Sequence, residues 1–167
     1  MKRKGIVVAG LLLFLATAGY SQVKNNAFRL MLNGLLRHSV PETGIATAAR
    51  DSTSIRFLDA RELREYQVSH LANALHVGYE LFDIRQLAGL DKRSRIVVYC
   101  SVGYRSEKVC EQLLSAGFSN VSNLYGGIFE WVNQGLPVYN DRGRTEAVHA
   151  YDRIWGVWLD RGEKVYP

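Results

Sequence analysis

The chain has 167 residues, of which 47% are hydrophobic and 11% aromatic, enough apolar material for one globular domain with a real core. Its formal charge of +5 includes Lys2, Arg3 and Lys4, and without them it falls to about +2, so the charge gives no support to nucleic-acid binding. Two cysteines, Cys100 and Cys110, either pair or leave one deliberate free thiol.

In chain order, the three basic residues precede an apolar run from Ile6 to Leu15 that fades into Ala16, Thr17, Ala18 and Gly19, the layout of a secretory signal. The apolar stretch falls short of the roughly 20 residues a spanning helix needs. Residues 1–21 are therefore expected to be a signal peptide, cleaved between Ala18 and Gln22, with an N-terminal membrane anchor as the alternative. The mature protein is expected to be exported, periplasmic or secreted, with no membrane span. No Cys lies near that site, so lipid anchoring is not expected.

Between Asn25 and Arg37, Phe28, Leu30, Met31, Leu32, Leu35 and Leu36 recur at helical spacing, and Pro41 follows, so an N-terminal helix is expected. Ile55 to Leu58 reads as a strand ending in Asp59, and Arg61 to Tyr66 as a brief helix. Ala74 to Val77 reads as a strand, Tyr79 to Leu90 as a helix, and Ile96 to Tyr99 as a β-branched strand running into Cys100. Ser106 to Ala116 is expected to be a helix ended by Gly117. Val121 to Leu124 then suggests a strand, Gly126 and Gly127 a turn, and Ile128 to Gln134 a helix closed by Gly135 and Pro137. This alternation argues for a mostly parallel sheet with helices on both faces. Residues 22–140 are expected to form the domain, and 141–167 an ordered extension packed on it.

Cys100 falls where a buried strand gives way to a helix, the edge at which open α/β sheets bind ligands. Successive backbone N–H groups in Ser101, Val102, Gly103, Tyr104 and Arg105 would curl into an anion nest, and the helix behind adds its positive end. Gly103 permits a backbone conformation closed to other residues, Arg105 would donate to loop carbonyls or to an anionic substrate, and Ser106 is expected to cap the helix. Such a cradle suits a persulfide anion on Cys100 as an oxyanion hole suits an oxyanion.

Phe57-Leu58-Asp59-Ala60-Arg61, Glu65-Tyr66, His70, Ala72-Asn73-Ala74, Cys100-Ser101-Val102-Gly103-Tyr104-Arg105-Ser106, Tyr125-Gly126-Gly127 and Trp131 together resemble the successive motifs of the rhodanese family, over about residues 40–138. The resemblance implies a rhodanese-like three-layer α/β fold whose mostly parallel central sheet has about five strands. It implies catalytic roles for Cys100 and Arg105, substrate binding by Ser101, Val102, Gly103, Tyr104 and Ser106, and a structural pairing of Asp59 with Arg61. Similar enzymes that dephosphorylate place five residues between Cys and Arg. Here four intervene, and the narrower loop resembles that of sulfurtransferases. The loop lacks the basic side chains that thiosulfate users often carry, which argues against thiosulfate as the physiological donor.

Other residues have plainer readings. Cys110 shares the apolar stripe of its helix with Val109, Leu113 and Leu114 and is read as core. Several helical residues at about 1.5 Å each separate it from Cys100, beyond the roughly 7 Å that a disulfide tolerates. His38, His70, His76 and His149 show no metal-site spacing, and His70 is read as a turn anchor and structural support. Tyr125, Trp131, Trp155 and Trp158 are read as packing.

The expected function is a sulfurtransferase that moves sulfane sulfur from thiosulfate, a polysulfide or a persulfide to a thiol or cyanide-like acceptor through a Cys100 persulfide. No metal or organic cofactor is expected, nor nucleic acid as a partner. The partners are a small sulfur donor and a thiol acceptor or acceptor protein. The alternatives are a non-catalytic sulfur-carrier or partner-binding module of the cell envelope that uses the Tyr151–Tyr166 tail, and, disfavoured by the short loop, a phosphatase or arsenate reductase.

Overall fold

The computed structural model describes Val23 and residues 25–167. The expected signal peptide lies outside the described residues.

A five-stranded, wholly parallel sheet organises the fold. Its strands are β1 (Glu42–Thr43), β2 (Arg56–Asp59), β3 (Leu75–His76), β4 (Ile96–Tyr99) and β5 (Val121–Leu124), in the spatial order β1-β5-β4-β2-β3. β4 is central, and its run of β-branched residues is buried throughout, as a strand covered on both faces requires. Alternation splits its side chains between two cores. Val97 and Tyr99 pack with Phe57 against α1 (Asn26–Leu35), α2 (Ile45–Arg50) and α5 (Gly127–Asn133), whereas Ile96 and Val98 pack with Leu58 against Val109, Cys110 and Leu113 of α4 (Tyr104–Ser115). The result is three layers, helices on either side of one sheet.

α1 begins where Asn25 caps it, its side chain accepting from the Ala27 and Phe28 amides at 3.0 and 3.2 Å, and it buries Phe28 and Leu32. The short α3 (Leu63–Val68) starts with a capping box in which Glu62 and Glu65 satisfy each other's backbone amides, fixing the Glu65 carboxylate at the head of the helix.

The structure departs from the expected helix at 79–90, where only a 3₁₀ turn, Ile84–Leu87, forms. Asp83 is extended and its side chain accepts the Arg85 amide at 2.9 Å. That local bond offers the backbone an alternative to the helix, and Gly89 follows within one turn. The strand expected over 74–77 shrinks to the two residues of β3.

Beyond α5 come β6 (Val138–Asn140) and β7 (Gly143–Thr145), paired antiparallel, and β8 (Ala147–His149) and β9 (Glu163–Val165), paired parallel. A 3₁₀ turn, Trp155–Trp158, lies between the last two strands. Trp158 stacks on Phe28 with ring centroids 5.5 Å apart, and Leu159 is buried in the same core. Among the described residues, no helix is long and apolar enough to cross a membrane.

Candidate active site

The strands of the sheet deliver Asp59, Tyr99 and Leu124 to one edge, and the chain leaves β4 there through Cys100, Ser101, Val102 and Gly103 into α4. The loop has a sharp shape because Gly103 has φ of +122°, a conformation closed to side chains. A second glycine holds the loop from behind. A Cβ on Gly127 would fall 2.4 Å from the Cys100 carbonyl oxygen, so only glycine lets the start of α5 come this close. That approach allows the amides of Ile128 and Phe129 to donate to the Cys100 and Ser101 carbonyls at 2.9 and 3.1 Å. With those carbonyls tied to α5, the Gly103 amide turns to the sulfur and donates to Cys100 Sγ at 3.1 Å.

Cys100 is only 1% exposed, and it forms part of the floor of a cavity of about 680 Å³. Ser101, Val102, Tyr104 and Arg105 also line that cavity, so the structure brings five of the expected site residues together. Gly103 shapes the loop without lining the cavity. Ser106 departs from expectation. Gly103 is the N-cap of α4, and Ser106 is a fully buried residue of its first turn. Its hydroxyl donates to Asn123 Oδ1 at 2.7 Å, while Asn123 Nδ2 donates to the Gly103 carbonyl at 3.0 Å. Ser106 therefore braces the loop from beneath and does not line the cavity.

Arg105 points not at loop carbonyls but at Glu65. Its two terminal nitrogens donate to the two carboxylate oxygens at 2.7 and 2.8 Å, and one of them also reaches Ser101 Oγ at 3.1 Å. Burial works to raise the Glu65 carboxyl, but the Arg105 hydrogen bond and charge, with Arg61 beyond, outweigh it and hold the pKa at about 2. Burial likewise opposes the charge on Arg105, and Glu65 together with the Cys100 sulfur raises its pKa nonetheless. The pair is bidentate and largely withdrawn from solvent, the strong form of such a contact.

Asp59 and Arg61 make a second pair, fully buried, with the guanidinium donating to the carboxylate at 2.6 to 3.2 Å and to the Ser69 carbonyl at 2.6 Å. Arg61 also lies 5.6 Å from the Tyr99 ring centroid. This pair sits under the sheet edge and does not reach the cavity. His70 lies outside it too, stacked on Tyr66 with centroids 4.0 Å apart and exchanging backbone bonds with Tyr139.

Cys110 is buried on α4 with its thiol pushed well up, chiefly by burial, so it is not a nucleophile at neutral pH. Both cysteines are free. Among the described residues no group of three or more His, Cys, Asp or Glu could hold a metal ion.

The sequence did not place Glu65, Asn123, Tyr151 or Trp155 at the site. Glu65 is visible there only as half of Glu65-Tyr66, and the charge it neutralises stands forty positions away. Tyr151 and Trp155 complete the cavity wall from the C-terminal segment, and no local pattern marks them as anything but packing.

Comparisons with known proteins bear on the family and the fold. A model of the Rhodanese-like domain family matches residues 44–134. Over 97 residues the chain is 36% identical to the tRNA uridine(34) hydroxylase of Photorhabdus laumondii, a match covering 53% of this chain and 28% of that protein. The chain thus spans little more than a quarter of the curated relatives it matches. Among solved structures, a rhodanese-related protein from Thermoplasma volcanium is 26% identical with a TM-score of 0.53, over 59% of this chain and 96% of that one. A thiosulfate sulfurtransferase from Pseudomonas aeruginosa shares the fold at a TM-score of 0.57 and 22% identity, over 80% of this chain and 26% of that one.

Proposed function

Because the chain belongs to the Rhodanese-like domain family, we propose that it is a sulfurtransferase whose nucleophile is Cys100. The observation that carries this reading is the Gly103 amide 3.1 Å from Cys100 Sγ, on the floor of a cavity large enough for a donor. The Cys100 thiolate attacks the outer sulfur of a sulfane donor, a new S–S bond forms, and the donor's own bond to that sulfur breaks with its electron pair leaving on the donor remnant. The terminal sulfur anion then lies at the loop, where oriented amides and the start of α4 favour negative charge. A thiol or cyanide-like acceptor takes the sulfur in a second displacement that returns the Cys100 thiolate. Neither half needs a redox cofactor or a metal.

Arg105 is assigned a holding role here. Tied to Glu65 and Ser101, it fixes the far side of the loop and supplies positive potential close to the sulfur without being free to clamp a substrate. The tRNA uridine(34) hydroxylase named among the relatives is a much longer protein, of which the match covers 28%. Glu62 and Glu80 stand beside Arg64 at the cavity, a charge balance that favours a small donor over a polyanion.

We further propose that residues 1–21 are an export leader, so that the enzyme works in the periplasm or outside the cell as a domain of residues 22–140 with the extension 141–167. Amino-terminal sequencing of the protein recovered from a cell-envelope or secreted fraction tests this, and an intact Met1 start would contradict it. The sulfur-transfer reading is tested by thiocyanate formation from cyanide with polysulfide as donor. The native protein turns over and Cys100→Ser does not. Equal rates for the two would overturn the assignment.

A further inference from the structure

Sulfur transfer through Cys100 leaves most of the cavity without a task. Its volume of about 680 Å³ falls in the range that accommodates organic ligands, not just a small inorganic anion. Leu35, Leu63, Val102 and Tyr104 line it together with Tyr151 and Trp155 from the C-terminal segment.

That segment is built to hold its aromatic residues in place. Tyr151 has φ of +66°, a left-handed conformation that a bulky residue adopts only when its surroundings impose it. Its amide donates to His149 Nδ1 at 3.1 Å, and its ring covers the Arg105 guanidinium at 5.2 Å. Immediately after it, Asp152 Oδ1 accepts the amides of Ile154 and Trp155 at 2.8 and 2.9 Å, fixing the turn that carries Trp155. The segment is anchored beyond that turn by the stacking of Trp158 on Phe28 and by buried Leu159. Meanwhile Arg105, at the end of the Cys100 loop, is committed to Glu65, and the loop side chains Ser101, Val102 and Tyr104 carry no charge. The other cavity arginine, Arg64, shares the lining with Glu62 and Glu80, so a dianion meets positive charge that carboxylates already offset, whereas an apolar body would find a ready aromatic wall.

We propose that Tyr151 and Trp155 make the site selective for an organic sulfane-sulfur donor with an apolar or aromatic body over a small inorganic anion such as thiosulfate. This rests on the sulfur-transfer reading of Cys100 and names its substrate class. For an organic persulfide, the Cys100 thiolate and R–S–SH give Cys100–S–S⁻ and R–SH. The Cys100–S bond forms, the R–S–S bond breaks, and the displaced R–S⁻ takes the proton. Sulfur is exchanged between thiols with no external oxidant.

Three probes with a common reaction isolate the role of the body: benzenethiosulfonate, methanethiosulfonate and thiosulfate, each of which leaves as a sulfinate or sulfite when its outer sulfur passes to Cys100. Loading of the full-length protein is followed by mass, with each rate divided by that donor's rate with free cysteine. The phenyl donor loads about tenfold faster than the methyl donor, the gain expected of one aromatic contact plus burial of the ring, and faster again than thiosulfate. Tyr151→Asn keeps the left-handed turn comfortable and lowers the phenyl-to-methyl ratio about tenfold through KM, whereas Tyr151→Phe holds the ratio within about twofold. Equal normalised loading of the native protein by all three probes, or an unchanged ratio in Tyr151→Asn, overturns the inference while leaving sulfur transfer standing. If none of the three loads Cys100 while polysulfide does, the inference alone fails, and if polysulfide fails to load it as well, the sulfur-transfer reading falls too.

Discussion

Glu65 and Arg105 form a bidentate ion pair, 2.7 and 2.8 Å long, across the mouth of the Cys100 loop, and Ser101 is drawn into it by bonds of 3.1 and 3.2 Å. One helix head and one loop are thereby locked together, since the same Glu65 carboxylate also accepts the Glu62 amide at 3.0 Å. Replacing Glu65 by Gln removes the counter-charge and frees Arg105. Sulfur loading of Cys100 is expected to fall about tenfold as the loop loses its fixed geometry. The acid limb of stability changes as well. The native carboxyl titrates at about 2 against an ordinary 4.5, so its contribution is complete above 4.5, shrinks as the pH falls and is gone below 2, about 3 kcal/mol in all. Denaturant melts between pH 6 and pH 2 check this, and Glu65→Gln gives the flatter profile.

Asp59 and Arg61 form a fully buried ion pair that does not line the cavity. Asp59→Asn leaves the fully buried Arg61 guanidinium without its counter-charge, a change that costs about 3 to 5 kcal/mol. Equilibrium unfolding reads the loss. The fraction that remains folded is expected to load sulfur at near the native rate, because neither residue reaches the cavity.

At Gly127 the constraint is steric. An added methyl would meet the Cys100 and Ser101 carbonyl oxygens at 2.4 and 2.6 Å, at a φ of +59°, so Gly127→Ala must push α5 off the loop. A loss of about 100-fold in loading is expected with the Cys100 thiol still present and still able to react with a small alkylating agent once exposed.

Cys110 is the control cysteine. Cys110→Ala trims a buried side chain on α4 and costs about 1 kcal/mol of stability, while sulfur loading stays at the native level. A loss of loading in this variant would place the chemistry on the wrong sulfur.

How much of this was legible in the sequence follows the range of the interactions. β4 and α4 stand out because unbroken β-branched residues and an apolar stripe announce them locally, and the Cys100–Arg105 loop is contiguous between them. β1, two residues long, carries no pattern of its own and exists because β5 offers it an edge. α2 hides in the Ala-rich stretch before β2 for the same reason of length. The expected helix at 79–90 failed because Asp83 captured a neighbouring amide, a side-chain bond that apolar spacing does not register. Within the site, the loop could be read but its partners could not. Glu65, Asn123 and Tyr151 reach it from three separate elements, and only the folded sheet brings them to one edge.

Everything proposed for this site depends on Cys100 carrying sulfur covalently. Intact-mass measurement of the protein before and after incubation with polysulfide, then after cyanide, tests it most directly. Covalent carriage gives a gain of one sulfur, about 32 Da, that cyanide removes and that Cys100→Ser lacks while Cys110→Ala retains it. An unchanged mass with every donor, or a gain that survives Cys100→Ser, would contradict it.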